Sequence, residues 1–432
     1  MFDLLLLILQ IIVILGAARL VGWLFRKIRQ PQVVGEMAAG ILLGPSLLGL
    51  VAPRVYGFIF PADSLSYLNA ISQIGLIIFM FLIGLELDVN ILRGRGHTTV
   101  ITSQISIYVP FLLGILLAVF LYPRLSYEDV PFFLFAMFIG TAMSITAFPV
   151  LARILSERKM LRTHLGTVAI ACAAVDDITG WMILAVLMLL ARASESILPL
   201  WGMIVGVGVY LGIMLFPLRR LMCWIEDYYQ QRGQITQGIL ALILLFALAS
   251  AWSTEFLGIH ALIGAFLAGV IMPRHHGFVH ALTEKLNDFT VVFLLPLFFA
   301  YTGLRTSVAL LDSPVLWLYC GLIILVAVLG KFSGGSIPAR LTGMTWRDSW
   351  ALGALMNTRG LMELVLLNIA LDIGLITPTL FTMLVFMALT TTFMTAPVLE
   401  WLYFRRMVPP VEYTTPAPEV LPPEEEEYVP VD

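Results

Sequence analysis

Between Leu4 and Phe404 the chain is a succession of thirteen apolar runs joined by short polar connectors. They lie at about 4–25, 34–50, 66–88, 98–121, 131–152, 165–191, 197–218, 235–255, 259–273, 286–304, 315–339, 349–374 and 377–404, and are called spans 1–13. A helix needs about 20 apolar residues to cross a hydrocarbon core about 30 Å thick. Inside lipid every backbone N–H and C=O must be satisfied by the protein, so runs of this kind fold as bundled transmembrane helices. Only 12% of residues are charged and 60% are hydrophobic, against about 25% charged in soluble domains. The expected fold class is an all-α polytopic membrane protein with about thirteen transmembrane helices. Neither an enzyme nor a nucleic-acid partner is expected; the surrounding partner is membrane lipid.

Basic residues orient the spans, because cytoplasmic loops carry an excess of them. Eighteen of the 25 Lys and Arg fall in connectors on one side, Arg26, Lys27 and Arg29 first among them. Four (Arg54, Arg124, Arg192 and Arg305) fall on the other, and Arg19, Lys331 and Arg359 lie inside spans. This alternation predicts an outside N-terminus and a cytoplasmic C-terminus, in the plasma or inner membrane of a prokaryote. Met1-Phe2-Asp3 has no basic region ahead of the first run, which therefore reads as a retained helix and not as a signal peptide. Cys172, Cys223 and Cys320 sit in or beside apolar runs and suggest neither a disulfide framework nor a metal site. Residues 406–432, rich in Pro and Glu, read as a disordered acidic tail.

An odd count permits six spans, a linker, and six more in inverted orientation, as in many secondary transporters. Echoes occur at matching positions. Ala39-Gly40 in span 2 matches Ala268-Gly269 in span 9, and Gly84-Leu85 in span 3 matches Gly303-Leu304 in span 10. Gly140 to Ser144 in span 5 matches Gly353 to Asn357 in span 12.

The strongest chemical signal is Asp176-Asp177, near the middle of span 6. One carboxylate at that depth costs on the order of 2.5–3.5 kcal/mol even on lenient insertion scales, and intramembrane acids mark ion or proton pathways. The competing account is two acids held by neighbouring donors to fix helix packing. Span 5 is interrupted by Thr141, Ser144, Thr146 and Pro149, and span 12 by Asn357-Thr358-Arg359-Gly360. Such interruptions suggest broken helices, whose freed carbonyls and positive N-terminal ends form ion sites. A Pro kink and a small-residue packing seam would explain Pro149 and Gly360, but not a buried arginine. Lys331, about two-thirds through span 11, needs an acid, and Asp176 or Asp177 would offset both charges. Arg359 has Glu363 one turn along the same face, either as a structural pair or as a relay. Glu36, Glu86 and Asp88 near cytoplasmic span ends are either interfacial charges or a cation-concentrating funnel. His275, His276 and His280 form a pH sensor or a solvated loop; His260 reads as a core histidine.

Gly35-Glu36 through Pro45-Ser46, Phe81 through Glu86, Ser144-Ile145-Thr146, Asp176-Asp177 and Asn357 through Leu364 together carry a resemblance. Over about residues 1–405 the chain resembles the bacterial and plant monovalent cation/proton antiporters with an aspartate pair in the sixth of thirteen helices. The resemblance implies an NhaA-type fold of two inverted six-helix repeats with two crossed discontinuous helices, and a homodimer. It implies a scaffold (about 1–90 and 235–305), a core (about 98–191 and 315–404) that moves like an elevator, and a linker helix (about 197–218). Asp177 would carry Na+ or K+ and the proton. Asp176 with Lys331 would mark an electrogenic exchanger moving two protons per cation. No resident cofactor is implied. A nucleotide-binding regulatory domain, which follows the last helix in some relatives, is not expected after this one.

The residues fit exchange on their own terms. A carboxylate in a low-dielectric cavity is neutralised by a proton or by a desolvated cation and rarely stays bare. Thr146, Ser144 and the freed carbonyls are candidate oxygen ligands. The alternative is a sodium-coupled small-solute symporter on the same fold. A channel would need a filter segment, and none of the TVGYG kind occurs; a non-transporting sensor has no use for two intramembrane acids and a lysine.

Overall fold

The computed structural model describes residues 4–28, 30–87, 97–161, 163–192, 200–273 and 276–404. Asp88, His275 and the tail 406–432 lie outside the described residues, as do Arg29, Arg93, Arg95, Arg162, Arg274, Arg405 and Arg406. All regular structure among the described residues is helical. The first half comprises α1 (Leu4–Lys27), α2 (Gln32–Leu43), the short α3 (Leu48–Val51) and α4 (Pro53–Ile59), and α5 (Leu65–Glu86). It continues with α6 (His97–Leu125), α7 (Phe132–Ser144), α8 (Phe148–Glu157) and α9 (His164–Arg192). Between the halves lie α10 (Leu200–Ile213) and α11 (Arg219–Arg232), joined through a wide π-type turn. The second half opens with α12 (Gln237–Phe256), α13 (Ala261–Val270), α14 (His276–Phe289) and α15 (Leu295–Leu304). It closes with α16 (Pro314–Leu341), α17 (Trp346–Met356), α18 (Leu361–Asp372) and α19 (Pro378–Leu399).

Every run in the sequence is met by helix. Among the described residues, twelve stretches are long and apolar enough to cross a membrane, and ten-residue α13 is the short thirteenth. Ten residues rise only about 15 Å, half the hydrocarbon thickness. The non-helical flanks of α13 are tolerable because Ile259, Ile271 and Met272 are buried in protein.

The helices sort into two packed groups, α1, α2, α5 and α12–α15 in one and α6–α9 with α16–α19 in the other, with sparse contact between them. Small residues set the closest crossings. A Cβ on Gly303 of α15 would collide with the backbone of Gly40 in α2, and one on Gly269 of α13 with the backbone at Phe81 in α5. Exchanging each span for its counterpart in the other half turns the first crossing into the second. The core repeats the relation: a Cβ on Gly114 would lie 2.8 Å from Gly140 Cα, and one on Gly335 3.1 Å from Gly353 Cα. The glycine echoes in the sequence are thus matching contact points in the two halves.

Candidate ion-binding site

Spans 5 and 12 are broken helices, and their breaks meet. Span 5 stops at Ser144, runs extended at Ile145 and Ala147, and restarts as α8 with Pro149 in the first turn. Pro is tolerated there because that N–H has no helical partner. The chain therefore stops and restarts at Pro149 and does not merely kink. Span 12 stops at Met356 and restarts as α18 after Gly360. A side chain on Gly360 would run into Val150 Cγ2, 2.8 Å away, so glycine lets the two breaks cross. Ala147 N–H donates to Thr358 O across the crossing (2.9 Å).

Arg359 closes the negative end of α7. Its guanidinium donates to the carbonyls of Ala142 and Met143, the latter at 2.7 Å. A cation at a helix C-terminus offsets the macrodipole and occupies carbonyls left without intrahelical donors. Its backbone N–H donates to Thr392 Oγ1 in α19 (3.0 Å). Glu363 Oε1 lies 3.2 Å from Arg359 Nη1 with both side chains fully buried, although neither carboxylate oxygen has hydrogen-bond geometry. Arg359 thus stitches span 12 to span 5, and Glu363 neutralises it.

The two aspartates have opposite surroundings. Asp176 is saturated: Lys331 Nζ donates to Oδ2 (2.9 Å) and Ser103 Oγ to Oδ1 (2.9 Å). Ser106 Oγ stands 3.3 Å from Oδ1. Thr146 Oγ1, in the break of span 5, lies 2.8 Å from Oδ2 and 2.9 Å from Met356 O, with one proton for two acceptors. Asp177, equally buried, has neither oxygen hydrogen-bonded among the described residues. The N–H of Phe148, at the positive end of α8, is close enough to act on it electrostatically. An unpaired buried carboxylate at a helix N-terminus beside two broken helices is chemically a receptor for one positive charge.

Formal charge leads to the same place. Among the described residues, the buried acidic and basic groups of the core are Asp176, Asp177, Glu363, Lys331 and Arg359. Three negatives and two positives leave one negative charge, which a single proton or monovalent cation on Asp177 cancels. Bare buried charge is costly in a low dielectric, so the occupied site is favoured over the bare one.

The other sequence-derived candidates scatter. Ser144 Oγ donates back to Thr141 O (2.9 Å) and Thr141 Oγ1 to Met137 O (2.7 Å), so both hydroxyls serve their own helix. Asn357 is buried beside the crossing. Glu36 is buried and accepts from Gln32 Nε2 (2.8 Å), whereas Glu86 is exposed. His260 caps α13 through Leu262 N–H, and His280 pairs with Glu284 at 3.9 Å. Ser103, Ser106 and Thr392 escaped the sequence reading. A polar cluster, Thr102 to Ser106, interrupts span 4 much as Thr390-Thr391-Thr392 interrupts span 13, and either could have been noticed.

Residues 14–404 match the family model described as sodium/hydrogen exchanger, transmembrane. The Na(+)/H(+) antiporter NhaS4 of Synechocystis is 44% identical over 402 residues, which cover 93% of this chain and 98% of that one. Cation/H(+) antiporter 17 of Arabidopsis thaliana is 40% identical, over 92% of this chain and 48% of that one. The K(+)/H(+) antiporter 1 of Saccharomyces cerevisiae is 33% identical, over 91% and 46% respectively. The chain therefore spans about half the length of these plant and yeast relatives. The solved structure of the sodium proton antiporter MjNhaP1 from Methanocaldococcus jannaschii superposes with a TM-score of 0.62 at 15% identity, over 90% of this chain and 94% of that one.

Proposed function

The chain belongs to the sodium/hydrogen exchanger family, and from that premise we propose that it exchanges a monovalent cation, Na+ or K+, for protons across a membrane. The observation that carries this is Asp177, buried, without a hydrogen-bond partner among the described residues, and facing the start of α8 at the helix crossing. Proton and cation take turns on this carboxylate, and only the occupied core crosses, which couples the two gradients without a separate gate for each ion. Asp177 is the carrier; Asp176, held by Lys331 and three hydroxyls, is its anchor. If cation binding parts that pair and Lys331 releases its proton, to regain it when the cation leaves, a second proton moves per cation and the exchanger is electrogenic. The packed group of α6–α9 with α16–α19 slides against the other group as an elevator, supported by the sparse contact between the two. The basic residues orient the N-terminus outward in a prokaryotic plasma or inner membrane, and the chain works as a homodimer. The solute-symporter alternative has no support from the relatives, which are named antiporters.

The test is an imposed pH gradient. Everted vesicles carrying the protein are expected to lose an acid interior when Na+ or K+ is added outside, in proportion to cation concentration. A gradient that survives both cations in vesicles shown to contain folded protein would overturn the proposal.

A further inference from the structure

The boundary between the two packed groups carries a polar tie at one end, buried at Thr302 and Asn368 and opening to the surface at Asp372. Arg305, just past α15, pairs with Asp372 at the last residue of α18 (2.6 Å) and donates to Asn368 Oδ1 (3.1 Å). Asn368 Nδ2 in turn donates to Thr302 Oγ1 of α15 (2.8 Å), and both residues are almost fully buried. The guanidinium also stands over the Phe381 ring of α19, 5.9 Å from its centroid. Deeper along the same boundary, Trp181 stacks on Phe266 of α13, with centroids 6.0 Å apart and planes 25° apart. Trp181 is one helical turn beyond Asp177 toward the end of α9 that lies with Arg305 and Asp372. At the opposite end, the Arg153–Gln32 hydrogen bond that crosses the same boundary is long, at 3.4 Å.

We infer that Arg305 is a latch holding the ion site shut from the outer side: it fastens the mobile group's α18 to the stationary group's α15, and the Trp181–Phe266 stack plugs the path behind it. A contact that bridges two sliding surfaces on one side of the carrier carboxylate stabilises the state closed on that side. Its strength sets the fraction of molecules that can take up cation from there. Arg305 acts through this equilibrium and touches no ion, so it is a positioning residue. The inference rests on the exchange reading and on the outward assignment of this end.

The experiment uses the full chain in oriented proteoliposomes, with wild-type exchange measured first so that failure of the exchange reading appears as no activity at all. Arg305→Gln and Asp372→Asn are each expected to lower the half-saturating cation concentration outside about threefold or more, while the value inside holds or rises, because apparent affinity scales with the competent fraction. A merely structural pair would leave both values unchanged or raise both together, and either result overturns the latch. Affinity gained inside and not outside would keep the latch and overturn the orientation. A second construction keeps the test open if those variants fold poorly. Thr302→Cys with Asn368→Cys, in a chain whose three native cysteines are serine, is cross-linked with a short bifunctional thiol reagent. Exchange is expected to stop on cross-linking and return on reduction; exchange that continues in the cross-linked protein overturns the latch.

Discussion

Asp177→Asn is expected to abolish cation-driven proton movement. The amide keeps the size and depth of the carboxylate but removes the one negative charge among the described residues of the buried core that no lysine or arginine answers. A cation on the neutral amide would then be an uncompensated buried charge, which costs about 3–5 kcal/mol, or a loss on the order of 10²–10⁴ in occupancy. The vacant side chain is already neutral and so has no proton to give in exchange. The fold should survive, because no hydrogen bond of the native structure ends on the Asp177 carboxylate among the described residues. Folded Asp177→Asn protein that still dissipates a pH gradient on addition of Na+ or K+ would remove Asp177 from the carrier role.

Lys331→Gln is the second large effect, and it reaches both stability and electrogenicity. Lys331 and Asp176 are buried at 2.9 Å, and removing one member of such a pair costs about 3–5 kcal/mol because the other stays charged and alone. Lys331→Gln should be the milder single change, since Ser103, Ser106 and Thr146 still hold Asp176. Asp176→Asn strands the ammonium and should lower thermal stability more. The double variant should regain much of what either single variant loses, giving a positive coupling on a double-mutant cycle. Any exchange that survives in Lys331→Gln is expected to run independently of membrane voltage. Melting temperatures of the purified variants and dye-reported voltage dependence in proteoliposomes check both halves. Additive stability losses with unchanged voltage dependence would contradict the assignment.

What was legible in the sequence is what the bilayer forces on it. The thirteen runs follow from the need to satisfy the backbone in lipid. The glycine echoes follow from helices that touch at the backbone, and Asp176-Asp177, Lys331 and Arg359 stand out because charge at that depth is expensive. Which aspartate is saturated depends on Ser103 and Ser106, about seventy residues away, and no spacing rule brings span 4 to span 6. The role of Arg359 was half visible. Glu363 four residues on was readable as a partner, but the guanidinium's grip on Ala142 and Met143 requires the fold, because backbone carbonyls leave no mark in a sequence. Ser144 was ambiguous for a related reason: a mid-membrane hydroxyl suggests a ligand, and its proton goes to its own helix, to Thr141 O.

Proton release on cation binding is the most direct test of competition at one carboxylate. Purified protein in weakly buffered detergent is titrated with Na+ or K+ while the pH is recorded. Wild-type protein should release protons as it binds cation, with apparent affinity weakening about tenfold per pH unit on the acid side, and Asp177→Asn should release none. Cation binding that liberates no proton and keeps the same affinity from acid to alkaline pH would contradict the account.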